Sequence, residues 1–169
     1  AGQTVVRLKG GDPAIFARTA EEVDALARAG VEFEIVPGVT AALAAGSYAG
    51  IPATHRDFAS AVALVTGHEQ EGKQESALDW AALAAFPGTI VVYMGVTSAP
   101  RWSSALIAAG KPADTPAAIV RHCSRADQIT LRCRLDEVPK HLTGQQKLRP
   151  PAIVIIGPVA HLAEAWGWF

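Results

Sequence analysis

Charge of one sign, cysteine pairs and long apolar runs are all scarce in this sequence, and each scarcity narrows what the chain can be. Fifteen Lys and Arg stand against 16 Asp and Glu, for a net charge of −1. No global basic field therefore exists to gather nucleic acid or an anionic membrane, and an anionic ligand would have to be met by a local cluster. The two cysteines, Cys123 and Cys133, lack the paired spacing of a zinc site and have no His-rich partner sequence. They read as reduced thiols in a core, and no metal is expected. No apolar run approaches the ~20 residues that cross a bilayer. The first residues, Ala-Gly-Gln-Thr, carry no initiator Met, no basic n-region and no apolar h-region, so the expectation is a cytoplasmic chain that begins within a longer protein. Internal repeats and low-complexity segments are also missing.

What is present is an apolar, lightly charged composition, with half the residues hydrophobic and 18% charged. That suits a globular protein with a substantial core. Residues 4–8 and 33–36 read as buried strands, with a helix over 19–29 between them that carries Glu21 and Glu22 in its first turn. A small-residue helix follows over 40–48, after which 51–60, "IPATHRDFAS", loses periodicity. The alternation then restarts: strand "AVALVTG", polar stretch "HEQEGKQES", a helix near 78–85, strand "TIVVYMG" and a helix over 98–109. Strands "PAAIVRHC" and "QITLRCRL" come next as one antiparallel hairpin, then a helix near 135–142, strand "AIVIIG" and a helical tail. The fold class is α/β, with residues 1–54 and 61–169 in two domains joined by a linker at 55–60.

Three strands end on glycine: "VVRLKGGDP", "EIVPGVT" and "TIVVYMG". In open α/β sheets ligands sit beyond the carboxyl ends of strands, where bare backbone permits close approach. Each junction also has a bland reading. Gly-Gly-Asp-Pro is a turn by composition, Thr40 is a helix cap, and Met94 is core filler as well as a compliant surface for a flat ring. "KGGDP" matches neither GxGxxG nor the phosphate-binding GxxxxGK pattern, which argues against a nicotinamide oxidoreductase. His68 in "VTGHE" lacks HExxH spacing. Lys9, Arg18, Arg56, Arg121 and Arg125 are cations that a carboxylate cluster could draw on.

Taken in order, "VVRLKGGDPAIFARTAEE", "VPGVTAALAAGSYAGIPATHR", "VTGHE", "TIVVYMG" and "RPPAIVIIGPVA" resemble the tetrapyrrole methylase family from Val5 to the C-terminus. Within it they look most like the members acting on uroporphyrinogen III. The resemblance implies two α/β domains with S-adenosylmethionine folded into the cleft between them, and a homodimer in the full-length form. It further implies cofactor contacts at Gly10, Gly11, Asp12 and Ile15, at Thr40 and Ala41, at Met94, and at the backbone of Cys123. The implied reaction is methyl transfer to C2 and C7 of uroporphyrinogen III, giving precorrin-2 for sirohaem or cobalamin, with no nucleic acid, membrane or metal involved. The substrate's eight carboxylates make Arg18, His55 and Arg56 the candidate substrate contacts. The family's acid–base pair would precede Ala1, so the first domain is expected to be incomplete and no catalytic residue is assigned within the chain. "ARTA" stands where the family has a Gly-Arg-Gly-Gly run, and Cys123 where it often has glycine. The alternatives are a methyltransferase for another tetrapyrrole and a non-catalytic cofactor-binding fragment.

Overall fold

The computed structural model describes residues 2–68, 76–145 and 147–169. Most of the polar stretch "HEQEGKQES" lies outside the described residues. The chain divides into two compact units, Ala1–Ala41 and Ala42–Phe169.

Among its described residues the first unit holds one complete helix, α1 (Thr19–Arg28). Glu21 and Glu22 occupy its first turn and Arg28 its last, which complements the helix dipole, and Asp24 pairs with Arg28 at 2.6 Å one turn on. The strands expected at 4–8 and 33–36 do not form: neither segment enters a ladder, and Val5 and Leu8 are 87% and 84% exposed. A β-branched run becomes a strand only by pairing with a neighbour, and these two runs make no ladder with each other.

The second unit carries α2 (Ala41–Tyr48), which starts at the last residue of the first unit, and a five-stranded sheet. The strands are β1 (Val62–Thr66), β2 (Thr89–Tyr93), β3 (Pro116–Arg121), β4 (Ile129–Arg134) and β5 (Ala152–Ile156), in spatial order β1-β2-β5-β3-β4. β1 and β2 are parallel; β5 runs antiparallel between β2 and β3; β3 and β4 form the expected hairpin, from Pro116 opposite Arg134 to Arg121 opposite Ile129. The three central strands are buried almost throughout, whereas edge strand β4 alternates toward solvent. That explains why β2 and β5 read as continuous apolar runs and β4 as a mixed one.

Ile90, Val92, Ile119, Val154 and Ile156 pack one sheet face against Trp102 and Leu106 of α4 (Ala99–Ala108) and Val138 and Leu142 of α5 (Val138–Thr143). A shorter helix, α3 (Trp80–Ala85), is capped by the carboxylate of Asp79, which accepts the Ala82 N–H at 2.9 Å. A last turn of helix, α6 (Ala163–Trp166), follows a 3-10 segment at Pro158–Leu162. No helix among the described residues is long and apolar enough to cross a membrane.

The compact units separate at 41/42, ahead of the linker expected at 55–60, because α2 is tied into the second unit at both ends. The Ala42 N–H donates to the Tyr93 hydroxyl at 2.8 Å, Gln128 Nε2 donates to the Tyr48 carbonyl at 3.3 Å, and Trp168 Nε1 donates to the Ser47 carbonyl at 2.8 Å. Residues 55–59 close into a bridged turn, with His55 paired to Ala59.

Candidate functional site

In the first unit the two glycine-ended stretches of the sequence meet. Asp12 holds them together: its Oδ1 accepts the Ala14 N–H at 2.8 Å, shaping the turn, and its Oδ2 accepts the Gly38 N–H at 3.0 Å from across 26 residues. Gly11 sits at φ +86°, a left-handed conformation that favours glycine. A methyl group on Gly38 would overlap the carbonyl oxygen of Gly11 and lie 3.3 Å from the Asp12 Cα, so the two backbones approach in a way that only glycine at 38 permits. At Gly10 nothing lies within 4 Å of where a Cβ would stand, and the residue is exposed. The result is an open ledge of bare main chain at Gly10–Gly11, braced from behind by the 37–39 loop. Ile15 is half-buried in the turn that follows, its N–H donating to the Asp12 carbonyl at 3.4 Å. Thr40 is buried and Ala41 is exposed.

The cations of this unit are committed locally. Lys9, 12% exposed, donates to the Ala17 carbonyl at 2.5 Å and to Glu22 at 2.8 Å, so it ties the opening segment to α1. Its bond to Glu22 is the largest cause holding that carboxyl below its usual range. Arg18 is highly exposed at φ +56° and pairs with Glu21 at 3.1 Å, a solvent-facing contact that leaves the guanidinium easily re-aimed.

In the second unit the parallel strands β1 and β2 bring their carboxyl ends together. The Gly67 N–H donates to the Tyr93 carbonyl at 2.7 Å, and a Cβ on Gly67 would stand only 2.5 Å from the Gly95 Cα. Between Tyr93 and Gly95, Met94 turns at φ +51° with its side chain half-exposed. A compliant thioether is thereby presented at a strand end, in the place where a ligand in an α/β sheet is contacted. His68 is exposed; its N–H bonds the Thr66 hydroxyl at 3.2 Å and it joins no acid–base arrangement among the described residues.

Cys123 lies in the β3–β4 turn between two left-handed residues, His122 at φ +49° and Ser124 at φ +68°. The turn is pinned by His122 Nδ1 against Asp127 Oδ2 at 2.5 Å and by the Ser124 N–H donating to Gln128 Oε1 at 2.8 Å. The His122 bond holds the Asp127 carboxyl below its usual range, with His122 and Arg125 charges adding to it. Burial pushes the Cys123 thiol up, so main chain rather than thiolate is what this position offers a ligand. Arg125 lies 3.7 Å from Asp127 of this turn, while Arg121 donates to the Arg149 carbonyl at 3.1 Å and lies 3.9 Å from Asp127.

Of the substrate candidates here, His55 is stacked on Phe58 at 4.6 Å between ring centroids, with Trp166 at 6.1 Å; Arg56 beside it is exposed. Sequence reasoning missed three features: the brace at Gly38, the Tyr93 hydroxyl on α2, and the His122–Asp127 pair. Only Gly38 left a local trace, as the Gly of Pro-Gly.

The chain matches the family model described as tetrapyrrole (corrin/porphyrin) methylases over residues 1–139. It is 46% identical over 166 residues to an S-adenosyl-L-methionine-dependent uroporphyrinogen III methyltransferase of Methanosarcina barkeri, covering 98% of this chain and 65% of that protein. It is 48% identical over 168 residues to a siroheme synthase of Nitrosospira multiformis, covering 99% of this chain and 35% of that protein. The chain thus spans from about a third to just under two thirds of these curated relatives. Among solved structures, a uroporphyrin-III C-methyl transferase of Thermus thermophilus complexed with S-adenyl homocysteine matches with a TM-score of 0.80 and 39% identity, over 94% of this chain and 67% of that one. A cobalt precorrin-4 methyltransferase matches with a TM-score of 0.78 and 27% identity, over 89% and 62%.

Proposed function

Since the chain belongs to the tetrapyrrole (corrin/porphyrin) methylase family, we propose that it serves the C-methylation of uroporphyrinogen III at C2 and C7 from S-adenosylmethionine, giving precorrin-2 for sirohaem or cobalamin. The observation that carries the reading is the braced glycine ledge: Asp12 bonded to the Gly38 N–H at 3.0 Å, with Gly10 open to solvent. Such a ledge suits a ligand rich in polar edges and short of bulk clearance, which describes a folded adenosyl amino acid. The candidate cofactor contacts are Gly10, Gly11, Asp12, Ile15, Thr40 and Ala41 in the first unit, and Met94 and the Cys123 main chain in the second. When bound, the cofactor supplies a methyl group already electrophilic on its sulfonium.

The residues of this chain then have to bind and orient. Main chain at Gly10–Gly11 gives close approach, and Met94 gives an apolar face for a ring. Alignment of a nucleophile with a bound methyl is worth ~7 to 11 kcal/mol in favourable cases, which makes positioning the main task. Arg18 and Arg56 are exposed guanidiniums suited to bidentate carboxylate contacts, with His55, stacked on Phe58, as a further donor. A homodimer in the cytoplasm completes the reading, and the two free thiols suit a reducing compartment.

Calorimetric titration with S-adenosylhomocysteine tests it, beside Gly11→Val and Thr40→Val. Micromolar binding that both substitutions abolish is the expected result, followed by mass spectrometry of the product from uroporphyrinogen III. A folded chain that binds nothing would sink the cofactor reading. The 27% identity to a cobalt precorrin-4 methyltransferase favours one second reading, a later corrin intermediate as methyl acceptor, and product mass separates the two.

A further inference from the structure

We infer that Tyr93 is a positioning residue for the cofactor contacts, one that acts through its hydroxyl on the first turn of α2; the inference rests on the cofactor reading above. Tyr93 is the last residue of β2 and is buried. Its hydroxyl accepts the Ala42 N–H at 2.8 Å, across 51 residues of sequence. That N–H belongs to the four at a helix start that have no partner within the helix, so a buried donor is satisfied by this phenol. The same residue's carbonyl accepts the Gly67 N–H at 2.7 Å. Tyr93 thus fastens three things within the second unit: the end of β1, the end of β2 and the start of α2.

Two candidate cofactor contacts are covalent neighbours of this bond. Ala41 precedes Ala42 at the head of α2, and Met94 follows Tyr93. Met94 holds φ +51°, a conformation a non-glycine residue keeps only where its surroundings fix it. They do so on both sides: Tyr93 is anchored before it, and Trp102 Nε1 donates to the Gly95 carbonyl at 2.8 Å after it. A phenylalanine at 93 would fill the same volume of core, so what the hydroxyl adds is polar and directional. Ligand-contacting groups need placement within roughly 0.5 Å, and a buried hydrogen bond that fixes the segment carrying them is a means to it.

The test compares the protein with Tyr93→Phe and with Ser103→Ala. The second removes another buried hydroxyl, which donates to the Ala99 carbonyl within α4. Amide exchange of Ala42 is followed by NMR without ligand, and the Kd for S-adenosylhomocysteine by calorimetry. Tyr93→Phe should expose the Ala42 N–H to faster exchange and weaken binding roughly 2- to 10-fold, the range expected for one neutral hydrogen bond. Ser103→Ala should lower the melting temperature and leave the Kd at its parent value. Unchanged affinity in Tyr93→Phe, or an equal loss in Ser103→Ala, overturns the positioning role while leaving the cofactor reading intact. No binding by the parent protein overturns the cofactor reading and the positioning role with it, even where Ala42 exchange responds.

Discussion

One methyl group at Gly38 decides whether the two loops of the first unit fit together. The Cβ of an alanine there would overlap the Gly11 carbonyl, and backbone cannot swing aside as a side-chain end can. Gly38→Ala should therefore shift the 37–39 loop, stretch the bond to Asp12 and cost about 1 to 3 kcal/mol, as overpacking does. S-adenosylhomocysteine binding should fall more than about tenfold, because the ledge loses its brace. A calorimetric titration and a thermal melt measure both effects, and parent-like affinity in a folded variant would break the link between brace and ligand. The thiols make a second residue-scale case. Burial first, and then the charges of Glu137 and Asp136, push Cys133 up to about 12. The thiolate is the reactive form, so Cys133 should resist iodoacetamide at pH 8 in the folded protein and react fully in guanidinium. Peptide mass mapping reads the difference.

At the scale of elements, the second unit was legible in sequence, whereas in the first the helix formed where it was expected and the strands did not. β2, β3 and β5 announced themselves as apolar runs because central strands are buried on both faces, and α4 and α5 lie close to the helices expected over 98–109 and near 135–142. The segments at 4–8 and 33–36 carry the same β-branched signal and form no ladder, since composition reports what a strand would bury and not whether a partner is beside it. The candidate contacts stood out as glycines that follow β-branched runs, although of the three runs only the one before Gly95 forms a strand. The bonds that shape the site did not, because Asp12 to Gly38 and Tyr93 to Ala42 span 26 and 51 residues. The His122–Asp127 clasp on the β3–β4 hairpin is local yet carried no motif. It sets a pH dependence: the folded-state pKa of Asp127 is depressed, chiefly by the His122 bond, so the clasp is fully present above the usual carboxylate value and is lost as pH falls through the lowered one. A carbon-13 NMR titration of the Asp127 carboxyl should show a midpoint below that of an unperturbed aspartate. His122→Ala should bring it back up, and an unmoved midpoint would assign the shift to another group.

Across the whole molecule the two compact units differ in what holds them. Ala42–Phe169 has a five-stranded ladder and a core built around Trp102, Ile90, Ile119 and Ile156, all nearly or wholly removed from solvent. Among its described residues Ala1–Ala41 has one complete helix, with no buried residue, a set of exposed apolar side chains, and polar clasps at Asp12 and Lys9. Backbone amides exchange through the least costly opening available to them, and a ladder between buried strands opens only with the unit as a whole. Amides of β2, β3 and β5 should accordingly exchange through global unfolding, more than about 1,000-fold slower than those of 4–8 and 33–36, given ordinary domain stabilities. Hydrogen exchange read by mass spectrometry on peptic peptides tests this directly. Two well-separated classes are the expected outcome, with α1 between them because its amides are bonded within the helix but cover no core. Repeating the measurement with S-adenosylhomocysteine should slow exchange around 9–14 and 37–42 more than in β4, whose edge carries no candidate contact. Protection at 4–8 equal to that of β5 in the unliganded protein would mean that this apolar segment is paired in solution, against the unpaired backbone described above.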